Sequence, residues 1–189
     1  MKDIASLHAQ LAPSEWIVRW SHLLATGASV LDVACGHGRH MQWFAGRGHA
    51  VTGVDRAPEA TEAAGAFGHA LTADIESGPW PFGGQAFGAV VVTNYLWRPR
   101  MADIVAAVAP GGVLLYETFA AGNETVGKPS RPDFLLLPGE LLAACRTLRV
   151  VAYEDGFLDE PPRFVQRIAA VRADQAGSGQ PARHPLRAN

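Results

Sequence analysis

A buried-type strand running straight into a glycine turn constrains this chain more than any other stretch: Val30-Leu-Asp-Val-Ala-Cys-Gly-His-Gly-Arg39. Nineteen residues after Gly36, the segment Gly53-Val-Asp55 ends a second apolar run in a carboxylate. Gly36-His-Gly38 lets backbone approach a ligand with no side chain intervening. Asp55, at the tip of the second strand, stands where ribose hydroxyls are bound in open α/β sheets. The layout is that of a site for an adenosine-bearing cofactor, and at this level it does not say which one.

The remaining pattern extends the same sheet. Strands are expected at Ser29–Ala34, Ala50–Val54, Ala70–Ala73, Ala89–Thr93 and Val113–Tyr116. Between them fall helices at Gly38–Ala45 and Glu59–Phe67, a loop at Gly78–Gly84, and a helix opened by Pro99 and ended by Pro110-Gly111-Gly112. Alternation of this kind predicts an α/β, Rossmann-like parallel sheet with helices on both faces. A helix over Ser14–Ala25, with Trp16, Ile17, Trp20, Leu23 and Leu24 at helical spacing, precedes it and reads as core packing. Residues 119–138, punctuated by Gly and Pro, form a loop that would serve as a lid or a partner surface. A short helix at Gly139–Cys145 then leads to strand Leu148–Tyr153. The segment Asp155–Pro162 turns the chain into Phe164–Val171, an antiparallel pair because no crossover helix fits between them. The expected organisation is one domain over 1–172, with a helical cap at 1–27, and a flexible tail over 173–189.

Composition limits the partners. A net charge of −2 over 189 residues gives no global attraction to nucleic acid or an anionic membrane. Cys35 and Cys145 make no disulfide framework, the N-terminus has no apolar signal region, and no apolar run is long enough to span a bilayer. These features point to a cytoplasmic protein without a membrane partner.

Three details separate the cofactor classes. A dinucleotide fingerprint needs Gly or Ala where this chain has Met41. Asp32, just before the turn, would repel a pyrophosphate but suits the ammonium of an amino-acid moiety. Asp74 and Ile75, closing the third strand, suit an adenine amino group and the face of its ring. Together they describe S-adenosylmethionine, and a nicotinamide-dependent oxidoreductase is the disfavoured reading.

With these motifs in order, the chain resembles the class I S-adenosylmethionine-dependent methyltransferases over roughly residues 13–171. Leu31–Gly38 is similar to that family's first motif, with Ala34 where many members have glycine. Gly53-Val-Asp55 is similar to the ribose-binding segment, Ala73-Asp74-Ile75 to the adenine-binding one, Val91–Asn94 to the fourth-strand motif, and Pro110–Leu115 to the turn into strand five. Phe87-Gly88 departs from a common Phe-Asp, an acid that is usually structural. The resemblance implies a seven-stranded sheet of order 3-2-1-4-5-7-6 with strand 7 antiparallel. It implies S-adenosylhomocysteine as product. The implied cofactor set is Asp32, Ala34, Cys35, Gly36, His37, Gly38, Asp55, Arg56, Asp74, Ile75, Thr93 and Asn94. Tyr95, Trp97, Arg98 and Glu117, at the carboxyl edge of strands four and five, are candidate substrate contacts.

No catalytic base is legible, and direct in-line methyl transfer requires none unless the acceptor must lose a proton. His37, His40 and Cys35 belong to the cofactor turn, and no metal is expected. The modest insertion after strand five and the net charge favour a small-molecule acceptor. A weak similarity of Cys35–Arg39 to tellurite-resistance-type methyltransferases points the same way. Two rivals stand. An RNA or protein methyltransferase would show a basic face from Arg98, Arg100, Arg163 and Arg167. A non-catalytic cofactor-binding subunit would expose an apolar patch at Trp16 and Trp20. The oligomeric state is open.

Overall fold

The computed structural model describes residues 12–174 and 182–187. The first eleven residues of the expected cap and most of the expected tail therefore lie outside the described residues. Seven strands form one sheet of order β3-β2-β1-β4-β5-β7-β6. They are β1 (Ser29–Val33), β2 (Ala50–Asp55), β3 (His69–Thr72), β4 (Phe87–Thr93), β5 (Val108–Phe119), β6 (Arg149–Asp159) and β7 (Pro162–Val171). All neighbours through β5 run parallel, and β7 is antiparallel to both β5 and β6. β1 and β4 lie at the centre, covered on both faces, which is why Ala89–Val92 reads as an unbroken apolar run and Val30–Val33 as one interrupted only by Asp32.

The helices are α1 (Glu15–Trp20), α2 (Arg39–Ala45), α3 (Pro58–Ala64), α4 (Met101–Ala106) and α5 (Glu140–Ala144). One apolar layer packs Trp16, Ile17, Trp20, Met41 and Phe44 against Val30, Val91 and Leu115. The other packs Ile104, Leu141 and Phe82 against Leu31, Val90 and Leu114. Ser14 caps α1 by accepting from the Trp16 N–H, and Pro58 occupies the first turn of α3, where a missing N–H costs nothing.

Three expected boundaries move. The helix over Ser14–Ala25 is α-helical only to Trp20 and tightens to a 3-10 turn at Ser21–Leu23 before Gly27. Pro110-Gly-Gly112 does not end a helix; it is a bulge inside β5. Phe87 pairs with Val108 and Ala89 with Val113, so four residues, Ala109 to Gly112, loop out opposite Gly88. The expected turn at Asp155–Pro162 is mostly ladder: β6 pairs with β7 out to Asp159–Pro162, leaving Glu160-Pro161 as the turn. Its polar residues fit because β6 is the sheet's edge, with one side solvated.

The segment after β5 folds back on the sheet. Leu136 pairs with Ala120 and is buried, as is Leu135. Asn123, buried, donates through its side chain to Pro129 O and accepts from the Phe164 N–H.

Candidate functional site

The cofactor turn is tied together by one carboxylate. After β1 the chain bends at Ala34, with φ 55°, and the Cys35 N–H donates to Val54 O across to β2. Asp55 Oδ2 accepts from the Gly36 N–H at 2.9 Å, and Oδ1 from the Ala57 N–H at 3.0 Å. Each oxygen retains a lone pair for a ribose hydroxyl. The two glycines differ in purpose. A Cβ at Gly38 would sit 3.0 Å from Ala64, so this glycine lets α2 close on α3. A Cβ at Gly36 would meet nothing within 4 Å, so this one keeps the approach to the backbone open.

Gly53 explains Met41. A Cβ at Gly53 would press on Met41 Sδ and lie 2.8 Å from Cys35 Sγ. The small residue that lets helix and strand approach closely is therefore on β2, and α2 carries the large one.

Beside the turn, at the carboxyl ends of β1 to β3, lies a cleft of about 130 Å³ lined by Ala34, Val54, Asp55, Arg56, Ala73, Asp74, Ile75, Glu76 and Tyr95. The structure thus brings five of the expected cofactor residues, Ala34, Asp55, Arg56, Asp74 and Ile75, to one cavity. It adds Val54, Ala73, Glu76 and Tyr95. Asp74 has local duties as well: its carboxylate accepts from the Glu76 and Ser77 N–H groups and the Ser77 hydroxyl. These bonds, the hydroxyl's first, hold it below the usual carboxylate range.

Asp32 lies under the turn on the α1–α2 face. Burial pushes its carboxyl up to about 7, with Arg39 opposing and Asp55 adding to the rise. Its Oδ2 has no hydrogen-bond partner and lies 4.0 Å from His40 Nδ1. Burial first, then Arg39, pushes His40 down to about 3, so the ring is neutral. His40 Nε2 accepts from the Ser14 N–H at 3.1 Å, which assigns the ring proton to Nδ1, facing Asp32.

The other expected residues divide. Cys35 is buried, with its thiol pushed up to about 12, chiefly by burial and then by Asp32 and Asp55. It is packing, not a nucleophile. His37 is exposed in the turn. Thr93 accepts from Arg39 Nη2 at 3.3 Å, and Asn94 adopts φ 55° with its N–H on Glu117 O. Glu117 is buried and engaged: it accepts from Ser14 Oγ at 3.0 Å and pairs with Arg167 at 3.4 Å. Arg98 points away from the cleft, bridging Glu140 at 2.7 Å and the carbonyls of Asp133 and Leu135. It braces the segment after β5 and borders a larger groove, about 750 Å³, between α4 and α5. Trp97 is half-buried and does not line the cleft. Arg39 and Arg163 do not line the cleft and form no ion pair among the described residues, and Arg163 Nε is buried without a partner. Burial, and then the like charge of Arg163, work to lower Arg39, against Asp32 and Glu117.

A carboxylate at the tip of β2, an open glycine turn, a second acid after β3 and this strand order are the arrangement of a class I S-adenosylmethionine-dependent methyltransferase domain, which the chain resembles. The comparisons agree. The family described as methyltransferase domain matches residues 30–112. A malonyl-[acyl-carrier protein] O-methyltransferase of Serratia marcescens is 35% identical over 103 residues, 51% of this chain and 40% of that protein. The chain thus spans less than half the length of that relative.

Among solved structures, TehB from Haemophilus influenzae superposes with a TM-score of 0.63 at 20% identity, over 78% of this chain and 58% of that one. A methyltransferase from Methanosarcina mazei gives 0.65 at 15% identity, over 87% and 100%. The magnesium protoporphyrin IX methyltransferase of Synechocystis, solved with S-adenosylmethionine bound, gives 0.60 at 14%, over 89% and 79%. S-Adenosylmethionine is the cofactor of this domain class, and the residues present fit it: two acids are positioned for a ribose and a base, and buried polar atoms at Asp32 and Tyr95 have no partner.

Proposed function

We propose that this chain transfers a methyl group from S-adenosylmethionine directly to a small, anionic acceptor. The observation that carries the reading is the cleft in which Asp55, Asp74 and Ile75 meet beside the open face of Gly36. The bound cofactor supplies an electrophilic methyl on a sulfonium, which passes to the acceptor's lone pair and leaves a neutral thioether. Asp55 orients the ribose end and fixes the Gly36 backbone at once. Asp32, with one unpartnered oxygen, is poised to balance a cationic group approaching the turn. The protein's remaining task is alignment and exclusion of water.

Arg39 and Arg163 support an anionic acceptor, because neither is neutralised by an ion pair among the described residues. The relative that acts on malonyl-[acyl-carrier protein] is in keeping with a carboxylate acceptor. The basic face an RNA substrate needs is weakened: Arg98 pairs with Glu140, Arg100 with Asp103, and Arg167 with Glu117 and Glu154. The apolar patch expected of a non-catalytic subunit is absent at Trp16 and Trp20, both buried. No described helix is long and apolar enough to cross a membrane. The free, buried cysteines suit the cytoplasm.

The test supplies methyl-labelled S-adenosylmethionine with small carboxylates and their thioesters, RNA, or protein. Label on a small carboxylate, with release of S-adenosylhomocysteine, supports the reading. Label on RNA or protein overturns the acceptor class. Cofactor binding with no transfer to any acceptor would favour the binding-subunit reading.

A further inference from the structure

The groove between α4 and α5, about 750 Å³, shares no lining residue with the cofactor cleft. Both helices rest on the sheet, through Ile104 on α4 and Leu141 on α5. Alanines line the space between them, Ala102 and Ala106 from α4 and Ala143 from α5. Side chains this short leave the groove open, and Met101, Val105 and Val108 add to its apolar lining. Its charge has one sign. Arg98, Arg146 and Arg172 line the groove, and no acid does. Arg98 is answered by Glu140. Arg172 spends its guanidinium on neutral acceptors, the carbonyls of Val108 and Val105, at 2.7 Å each. Arg146 is exposed and forms no ion pair among the described residues.

An apolar groove lined by cations and no anions is complementary to a partner that is both apolar and acidic. Three kinds of anionic partner compete. Nucleic acid would use the arginines, but no aromatic side chain lines the groove for a base to stack on. A bilayer takes up protruding apolar side chains, whereas here alanines line a recess. A helix meets both demands: its apolar face fills a recess between two helices, and carboxylates on its flank reach the arginines. We propose that the α4–α5 groove docks an acidic amphipathic helix of a partner protein, with Arg146 as its main charge contact. Because the groove and the cofactor cleft share no residue, docking is an interaction additional to methyl transfer.

The experiment selects from a displayed library of amphipathic helices about 14 residues long, aliphatic on one face, with Glu, Lys or Gln varied on the flanks. The baits are the wild-type chain, Arg146→Glu and Ala143→Trp, the last filling the groove from an exposed helical position. Wild type is expected to enrich Glu-flanked helices. Arg146→Glu should turn the preference toward Lys and weaken the best acidic peptide about tenfold or more in fluorescence anisotropy. Ala143→Trp should weaken that peptide comparably, while all three proteins bind S-adenosylhomocysteine equally. A single-stranded RNA and phosphatidylserine vesicles are assayed beside the peptide. No enrichment from the library, enrichment without charge bias, or the same helices selected by Arg146→Glu overturns the proposal. So does tighter binding of the RNA or the vesicles that Arg146→Glu abolishes. Failure of all three proteins to bind S-adenosylhomocysteine would count against the cofactor reading and leave the docking result standing.

Discussion

Gly53→Ala tests how this domain closes helix on strand without the dinucleotide glycine. The added methyl would press on Met41 Sδ and stand 2.8 Å from Cys35 Sγ and 3.1 Å from Cys35 Cβ. Ordinary contacts of this kind lie near 3.5–4.0 Å, so the overlap with Cys35 alone approaches 1 Å. Met41 and Cys35 are both buried, and neither can swing into solvent. Relief must come from moving α2 or the cofactor turn. Overpacking of this sort costs about 1–3 kcal/mol. Met41→Ala alone should cost about 2–5 kcal/mol through the cavity it leaves. In the double variant the new methyl grows into that cavity, so the sum of the single losses should exceed the double's loss by at least about 1 kcal/mol. Urea unfolding followed by tryptophan fluorescence measures all four corners of the cycle. S-Adenosylhomocysteine affinity should fall in Gly53→Ala and partly recover in the double variant, because Cys35 belongs to the turn. A Gly53→Ala protein as stable as wild type, or strictly additive losses, would refute the packing account.

Asp55→Ala should weaken S-adenosylhomocysteine about tenfold to a hundredfold, since it removes both the ribose acceptor and the partner of the Gly36 and Ala57 N–H groups; unchanged affinity by calorimetry removes Asp55 from the site. Ala34→Gly should raise the urea midpoint, worth up to ~1 kcal/mol, because relief at φ 55° exceeds glycine's added chain entropy; a lower midpoint contradicts this. The pH dependence carries a further test. Asp32, at about 7 in the fold against 3.8 ordinarily, holds a proton the unfolded chain has released, so its effect lowers stability as pH rises from about 4 to 7. His40, at about 3 against 6.5, refuses a proton the unfolded chain binds, so its effect raises stability across about 3 to 6.5. The slopes, each up to ~1.4 kcal/mol per pH unit, oppose one another in the shared window. Asp32→Asn should therefore gain stability with pH between about 4 and 6.5 more steeply than wild type, by denaturation at fixed pH; parallel curves would show that Asp32 is not buried as described.

The central strands and the cofactor turn were legible because their signals are local: apolar runs for β1 and β4, glycines at the first turn, acids at the tips of β2 and β3; the sheet order followed only from the family resemblance. Polar edge residues such as Glu154 and Asp155 hid the full length of β6, since an edge strand does not need apolar alternation on its solvated side. Pro110-Gly-Gly112 carried a helix-stop signal that a strand bulge shares, with Gly111 at φ 73°. The roles of Glu117 and Arg98 depended on partners distant along the chain, Ser14 and Arg167 for one and Glu140 for the other. Asp74's turn bonds to residues 76 and 77 are local, and Asp followed by Ser three residues on was a readable signal of them. Tyr95's place in the cleft was not readable, because the turn at Asn94 and the bond from the Tyr116 hydroxyl to Tyr95 O decide it.

We propose that the glycine turn and its acids serve an adenosine carrying an amino acid, not a dinucleotide. Isothermal titration of the protein with S-adenosylhomocysteine, S-adenosylmethionine and NAD tests that claim most directly. Saturable one-to-one binding of both sulfur compounds, with NAD giving no heat above dilution, is the expected result. Binding of NAD with neither sulfur compound bound would contradict it.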